Sequence, residues 1–377
     1  MMKSGGEENI LVVDSNFNGK HSSSFFSTPP TSSSSSPPPP PLLLQKLKRH
    51  PVFSKLAEAG IEVRAHDCIG HGLSVSGKHD SERGLVPRYS FLVDDLRASA
   101  AKAAEERPGV PLFLGGHSMG GLIATLTALG GGGGESRDGH GNGNGGGGGG
   151  GEKAPSSSSS SSSSSASPSS PSPPPPPPPP PSTLTTGTAP SPPPLPPLPP
   201  LSGLFLSSPA LDVEWTPILR AQAPVGGLLS LLVPRARVVP AVDPRHLCRD
   251  EAVVAAYRAD PLCFVGNIRA RTANELLRGF RAVAPLAPRL EVPALVIFGD
   301  ADKIASLPAA QRFVEAAKGG AAKADAELVV FPGAFHEVFH GPDKDKAERV
   351  LMEWVEKVSS RKAGGGGGGG RGEKAKM

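Results

Sequence analysis

Gly116-His117-Ser118-Met119-Gly120 sets a serine between two glycines, behind the apolar run Leu112-Phe113-Leu114 and ahead of Gly121-Leu122-Ile123-Ala124. A strand that passes directly into a helix makes so sharp a turn that the serine backbone is strained and its neighbours must be small, as Gly116 and Gly120 are. Such a turn lifts the hydroxyl above the sheet, and the polyglycine tracts elsewhere hold no second copy of the pattern. A serine hydroxyl is a poor nucleophile near neutral pH. It needs a histidine to take its proton and a carboxylate to fix that histidine's tautomer, and for a serine on this kind of turn the acid and then the histidine follow along the chain. Gly299-Asp300-Ala301-Asp302-Lys303 follows the apolar run Ala294 to Phe298, and Gly333-Ala334-Phe335-His336-Glu337 follows Leu328 to Phe331. Of ten histidines, His336 is therefore the candidate base. His340 reads as a surface or supporting residue. Spacing alone leaves both Asp300 and Asp302 open as the acid, and either also fits a simple turn aspartate.

For these side chains to meet, the elements must bring them to one edge of a sheet. Ile10 to Val13, Ile61 to Ala65, Val110 to Leu114, Leu204 to Ser207, Ala294 to Phe298 and Leu328 to Phe331 are short and mostly apolar on both faces, as strands between two helix layers must be. They alternate with segments of helical period: Leu42 to Ala59, with its stripe interrupted near Pro51 and Gly60 as a stop; Arg88 to Arg107; Ser118 to Leu129; and about Lys346 to Val358, where Asp345 and Glu348 stand at capping-box spacing. The pattern predicts an α/β fold with a mostly parallel sheet flanked by helices. Residues 212 to 285 interrupt the rhythm with Pro217-Ile218-Leu219, Leu228 to Val233 and Glu251 to Tyr257, and read as a helical lid inserted between sheet strands, over the edge where ligands bind.

The organisation that follows has an N-terminal core part, 1–129, carrying a Ser/Thr/Pro insertion at 27–41. A Gly/Ser/Pro-rich insertion, 130–200, comes next, then a core strand region at 201–211, the lid at 212–285, the rest of the core at 286–363 and a basic Gly-rich tail at 364–377. The low-complexity pieces offer too little apolar surface to offset the entropy of ordering them and are expected to be disordered. Polyproline inside a sheet would remove ladder donors, so the long insertion must loop out of the domain. Its proline run also has the composition that SH3- or WW-like domains bind, but its low complexity favours a passive linker.

A net charge of +4 over 377 residues, with no basic stripe interleaved with aromatics, argues against nucleic-acid binding. Three cysteines, Cys68, Cys248 and Cys263, lack metal-ligand spacing and form no even disulfide set, so neither a metal nor a cofactor is expected and a reducing, cytoplasmic setting fits. Met1 to Asn9 has no apolar leader core, and no run approaches the roughly 20 apolar residues of a membrane span. The terminal Ala-Lys-Met is a loose match to a peroxisomal address.

Several further pieces carry a family resemblance across about residues 42 to 129 and 201 to 359. They are Leu56-Ala57-Glu58-Ala59-Gly60, Asp67-Cys68-Ile69-Gly70-His71-Gly72-Leu73-Ser74, Leu206-Ser207-Ser208-Pro209-Ala210, Asp260-Pro261-Leu262 and Pro332 to His336, alongside the serine turn and the Gly299 to Lys303 loop. With these the chain resembles the monoacylglycerol lipase and lysophospholipase group of α/β-hydrolases, including its plant-type members. The resemblance implies the α/β-hydrolase fold, Asp302 as the acid, His336 as the base, and a structural role for the Asp67 to Ser74 turn. It also implies an oxyanion hole built from the Met119 amide and a loop donor. The family's His-Gly dipeptide ahead of that loop donor is replaced here by Asn16-Phe17, which makes Asn18 the expected donor. The two strands usual before this point have no counterpart. The activity implied is carboxylic ester hydrolysis through an acyl-enzyme, on a lipid-like substrate such as a monoacylglycerol or lysophospholipid, and the apolar segment Pro224 to Val233 fits a lining for an acyl tunnel, a contact with a bilayer surface or an ordinary buried lid helix equally well. Small-ester or shikimate-ester hydrolysis, acyl transfer, and a catalytically weak ligand-binding member are the alternatives that the scaffold and the altered loop leave open.

Overall fold

In a computed structural model of the chain, the structure describes residues 9–14, 51–75, 82–131, 195–240 and 242–365. Two units separate by contact, residues 1–133 with 195–377, and residues 134–194. The second lies outside the described residues, as do the expected 27–41 insertion and the Asn16 to Asn18 loop.

In chain order the strands are β1 (Asn9–Asp14), β2 (Ile61–His66), β3 (Leu112–His117), β4 (Gly203–Ser207), β5 (Arg237–Val239), β6 (Ile268–Arg269), β7 (Ala294–Gly299) and β8 (Ala326–Phe331). Six of them form one sheet in the order β2-β1-β3-β4-β7-β8, and each adjacent pair is parallel. All six are the strands expected from the sequence, shifted at their ends by two residues at most apart from β3, which runs on to His117. The side-chain period of two divides the apolar residues between two cores. Val12, Leu114, Leu206 and Val296 face one layer, and Leu11, Phe113, Phe205 and Leu295 face the other.

The helices, again in chain order, are α1 (Pro51–Glu58), α2 (Tyr89–Glu106), α3 (Met119–Ala128), α4 (Pro217–Gln222), α5 (Gly226–Leu232), α6 (Glu251–Ala259), α7 (Ala270–Leu286), α8 (Leu307–Gly319) and α9 (Lys344–Gly365). Pro51 opens α1, the first-turn position where its missing N–H costs nothing, and Gly60 ends it with φ of +84°. Leu92, Leu96, Leu122, Ile123, Phe313 and Val314 bring α2, α3 and α8 into the first core. Val52, Leu56, Leu351 and Trp354 bring α1 and α9 into the second. At the start of α9, the spacing of Asp345 and Glu348 suggested a reciprocal cap. Instead the helix begins at Lys344, and buried Glu348 forms an ion pair with Lys55 of α1, clamping the two helices of that layer. The helix also continues through Gly364 and Gly365, two residues into the expected tail.

Between β4 and β7 the chain forms α4, α5, α6 and a two-stranded antiparallel ribbon of β5 and β6 before entering α7. The ribbon has no counterpart in the sequence reading, because strands of two and three residues are too short to show a period. The sequence signs pointed to one lid over 212 to 285, but its last helix behaves differently from the rest. Leu276, Phe280 and Val283 of α7 pack into the first core, and a Cβ on Gly279 would touch Leu122 of α3 at 3.0 Å. Glu275, 1% exposed, is paired with Arg278 and accepts from the Tyr89 amide, so α7 is tied to the start of α2.

Candidate active site

Ser118 stands between β3 and α3 with φ of 52° and ψ of −120°, a backbone conformation that costs about 1–3 kcal/mol for a residue with a side chain. Close packing enforces it. A Cβ on Gly116 would lie 2.2 Å from the Gly120 carbonyl oxygen, and one on Gly121 would lie 2.7 Å from Cβ of Pro209. Neither position has room for a methyl group. The Ser118 amide donates to the Ser207 carbonyl at 3.1 Å, and the Ser118 carbonyl accepts from Leu122 and Ala210. The turn is thus held from the neighbouring strand as well as from its own helix.

His336 and Asp302 come from the loops after β8 and β7. Nδ1 of His336 lies 2.7 Å from Oδ2 of Asp302, with the side chains 2% and 0% exposed. The other carboxylate oxygen of Asp302 accepts from the amides of Ile304 at 2.7 Å and Ala305 at 3.1 Å. A carboxylate so engaged is an acceptor toward the ring, so the ring proton sits on Nδ1 and Nε2 keeps a lone pair with which to take a proton. Asp300, the other aspartate that spacing left open, is exposed and accepts from the Gly333 amide at 2.6 Å. It fixes the turn that carries His336 rather than the ring itself. The two loops lie against each other at Gly299, where a Cβ would be 2.3 Å from the Ala334 carbonyl oxygen.

His336 and the serine turn converge through His117. Its ring centroid lies 4.6 Å from that of His336. Ser207 Oγ approaches His117 Nδ1 at 3.3 Å, and Ser208 Oγ donates to the His336 carbonyl at 2.8 Å. The end of β4 therefore steadies both the serine turn and the histidine loop. Sequence reasoning assigned no role to this serine pair, although two adjacent hydroxyls at a strand end beside the turn were the available signal. Glu337 was missed as well: its carboxylate meets Nε2 of His117 at 3.2 Å and Nδ1 of His340 at 3.1 Å. His340 is accordingly a supporting residue.

The Met119 amide is at the first position of α3, where helix amides lack intrahelical partners and point outward. Asn18, the other expected oxyanion donor, lies outside the described residues. The Asp67 to Ser74 turn is held internally: Ser74 Oγ donates to the Asp67 carbonyl at 2.6 Å, and Arg83 caps the Gly72 and Val75 carbonyls. At Gly72, φ is +54° and a Cβ would strike the Asp67 carboxylate at 2.3 Å.

Above this end of the sheet is a cavity of 610 Å³, walled by Trp215, Leu219, Leu229, Leu277 and Phe280 among others. Lys303 and Ile304, the residues directly after Asp302, also line it, whereas Ser118 and His336 do not. On the outside of the same helices Ile218, Leu228, Leu231 and Leu232 are 57%, 58%, 74% and 68% exposed. Among the described residues no helix is long and apolar enough to cross a membrane.

A family model described as Hydrolase_4, serine aminopeptidase S33, matches residues 47–133 and 195–343. Among curated proteins the chain is similar to a monoacylglycerol lipase of Mycolicibacterium smegmatis, 27% identical over 308 residues that make up 81% of this chain and 82% of that protein. It is also similar to the monoglyceride lipase of Homo sapiens, 25% identical over 80% of this chain and 74% of that one. Among solved structures, a soluble variant of the Saccharomyces cerevisiae monoglyceride lipase superposes with a TM-score of 0.59 at 18% identity, covering 94% of this chain and 88% of that one. That likeness shows a shared α/β-hydrolase fold.

Proposed function

The chain belongs to the Hydrolase_4 (serine aminopeptidase, S33) family of α/β-hydrolases, and on that premise we propose that it hydrolyses monoacylglycerols or lysophospholipids through an acyl-enzyme on Ser118. The observation that carries the reading is the buried 2.7 Å pair of His336 and Asp302, reached from separate strands and set beside a serine turn that packing keeps strained. Ester hydrolysis is the chemistry of the monoacylglycerol lipase relatives to which the chain is similar over most of its length.

In the first half-reaction, Ser118 Oγ forms a bond to the ester carbonyl carbon while its proton passes to Nε2 of His336. The new imidazolium is stabilised by Asp302. The oxyanion is received by the Met119 amide, with an amide near Asn18 as the expected second donor, because donors fixed before charge develops stabilise it without reorganising. Collapse breaks the bond to the alcohol oxygen, which takes the proton from His336. A water molecule then gives its proton to the same nitrogen, attacks the acyl carbon and releases the fatty acid, and the proton returns to Ser118.

The substrate class rests on the apolar cavity. A lining of Leu219, Leu229, Leu277 and Phe280 suits an acyl chain, and burying a methylene there contributes about 0.8 kcal/mol. The exposed leucines of α5 suit contact with a lipid surface from which such a substrate is drawn. A substrate panel with fluorophosphonate labelling tests the proposal: labelling at Ser118 and preference for long-chain glycerol esters over short aryl esters is the expected result. Labelled protein without turnover of any lipid ester would reject the substrate class, and folded protein that resists labelling would reject the mechanism.

A further inference from the structure

Beside the assigned base lies a second carboxylate, 11% exposed, that the mechanism above does not use. Glu337 follows His336 in the chain, and its amide donates to the Leu247 carbonyl at 2.8 Å, which fixes the backbone against the segment entering α6. Its two oxygens are divided between two rings, Oε1 with His117 Nε2 at 3.2 Å and Oε2 with His340 Nδ1 at 3.1 Å. Burial opposes ionisation, but the His117 and His340 imidazoles outweigh it and hold this carboxyl well below the usual range. An ionised carboxylate only accepts hydrogen bonds, so His117 must carry a proton on Nε2. The His117 ring, 4% exposed, is thereby locked in one orientation, and the His336 ring rests against it with centroids 4.6 Å apart.

We infer that Glu337 is a positioning residue for the base: it locks the His117 ring against which His336 is set, and its negative charge, one imidazole away, favours the imidazolium that His336 becomes on taking the serine proton. The inference rests on the reading of His336 as the base. Asp302 performs the same service from the opposite nitrogen by direct contact, so the base would lie between two carboxylates, one bonded to it and one acting through a neighbour. The other ionisable groups around Glu337 come from the segment above. Cys248, Arg249 and Asp250 follow the Leu247 contact, with Arg249 paired to Asp343, and Tyr257 follows on α6. Burial first, with Glu337 among the lesser causes, raises Cys248 and pushes Tyr257 up to about 12, so neither supplies charge near neutral pH. Asp250 is engaged by its own Ala252 amide.

The test is the pH dependence of the rate at which a fluorophosphonate labels Ser118 in wild type, Glu337→Gln and Glu337→Asp, with His336→Ala as the reference. Loss of the charge in an isosteric side chain should move the acidic midpoint of labelling down by roughly one pH unit, whereas Glu337→Asp should keep the wild-type midpoint. A Glu337→Gln midpoint equal to wild type, whatever the rate, overturns the inference, because a purely steric brace changes rate without changing titration. If that variant does not fold, His340→Ala, at a part-exposed site, removes one of the donors that disperse the charge and should move the midpoint upward; an unmoved midpoint again overturns the inference. Labelling that survives His336→Ala would instead remove the base assignment itself, so the two failures read differently.

Discussion

A methyl group on Gly116 would sit 2.2 Å from the carbonyl oxygen of Gly120, closer than real Cβ atoms approach anything. The contact is with backbone at the start of α3, so no side chain can swing away to relieve it. Gly116→Ala is expected to destabilise the fold by at least about 3 kcal/mol and to abolish labelling of Ser118. Gly109, with φ of +81° but open space around its Cβ, provides the control, since alanine there meets only the backbone penalty of about 1 kcal/mol. Denaturant unfolding of both variants checks the difference, and equal midpoints would mean that the turn is not held by packing.

Replacing Ser118 or His336 with alanine should lower ester turnover by on the order of 10⁴ or more, and Asp302→Asn by nearly as much. Asp300→Asn should leave turnover unchanged, because its carboxylate meets the Gly333 amide and an asparagine oxygen can accept the same bond. Steady-state kinetics on the four variants decides the matter. A damaging Asp300→Asn paired with a mild Asp302→Asn would overturn the assignment of the acid.

Leu229 and Leu277 both face the cavity beside α5 and α7. Leu229→Trp or Leu277→Trp should shorten the acyl chain that fits, lowering kcat/KM for long-chain esters by roughly tenfold or more while sparing short ones. The ratio of long- to short-chain activity is the quantity to measure. A ratio unaffected by either tryptophan would place the acyl chain elsewhere.

On the outer surface of α5, Leu231 and Leu232 are mostly exposed. Changing both to serine should weaken binding to phosphatidylcholine vesicles by roughly tenfold or more, since each leucine side chain buried in lipid contributes about 1.5–3 kcal/mol. Turnover of a soluble short-chain ester should stay as it was. Co-sedimentation with vesicles reports the first effect, and unchanged sedimentation would assign this patch to something other than a lipid surface.

The family match stops at residue 133 and resumes at 195, the same positions at which the chain leaves and re-enters its first compact unit. Removing 134–194 and joining the ends with a short Gly/Ser linker should preserve both stability and ester turnover. Loss of either would give that segment a part in the hydrolase unit.

The sheet was legible because each of its six strands is a short, densely apolar run, and burial on both faces leaves few other reasons for such composition. The placement of Ser118 and His336 just beyond strand ends was legible for a different reason: glycines at fixed offsets mark turns, and turns at strand ends place side chains. Asp300 and Asp302 could not be separated by spacing, because both follow β7 within one turn. What separates them is depth, one exposed on a neighbouring amide and the other buried on an imidazole. Glu337 was hidden by its neighbour, since a glutamate after a candidate histidine has no spacing signature and gains meaning only when His117 arrives from β3. The β5 and β6 ribbon was too short to register, and α7 was grouped with the lid because sequence order gives no sign that Val283 and Phe280 turn down into the core.

Ser118 lies at a φ that glycine adopts freely and serine resists. Evolution toward greater thermal resistance would therefore favour discarding the hydroxyl at this position, and Ser118→Gly should melt at a higher temperature than the active protein.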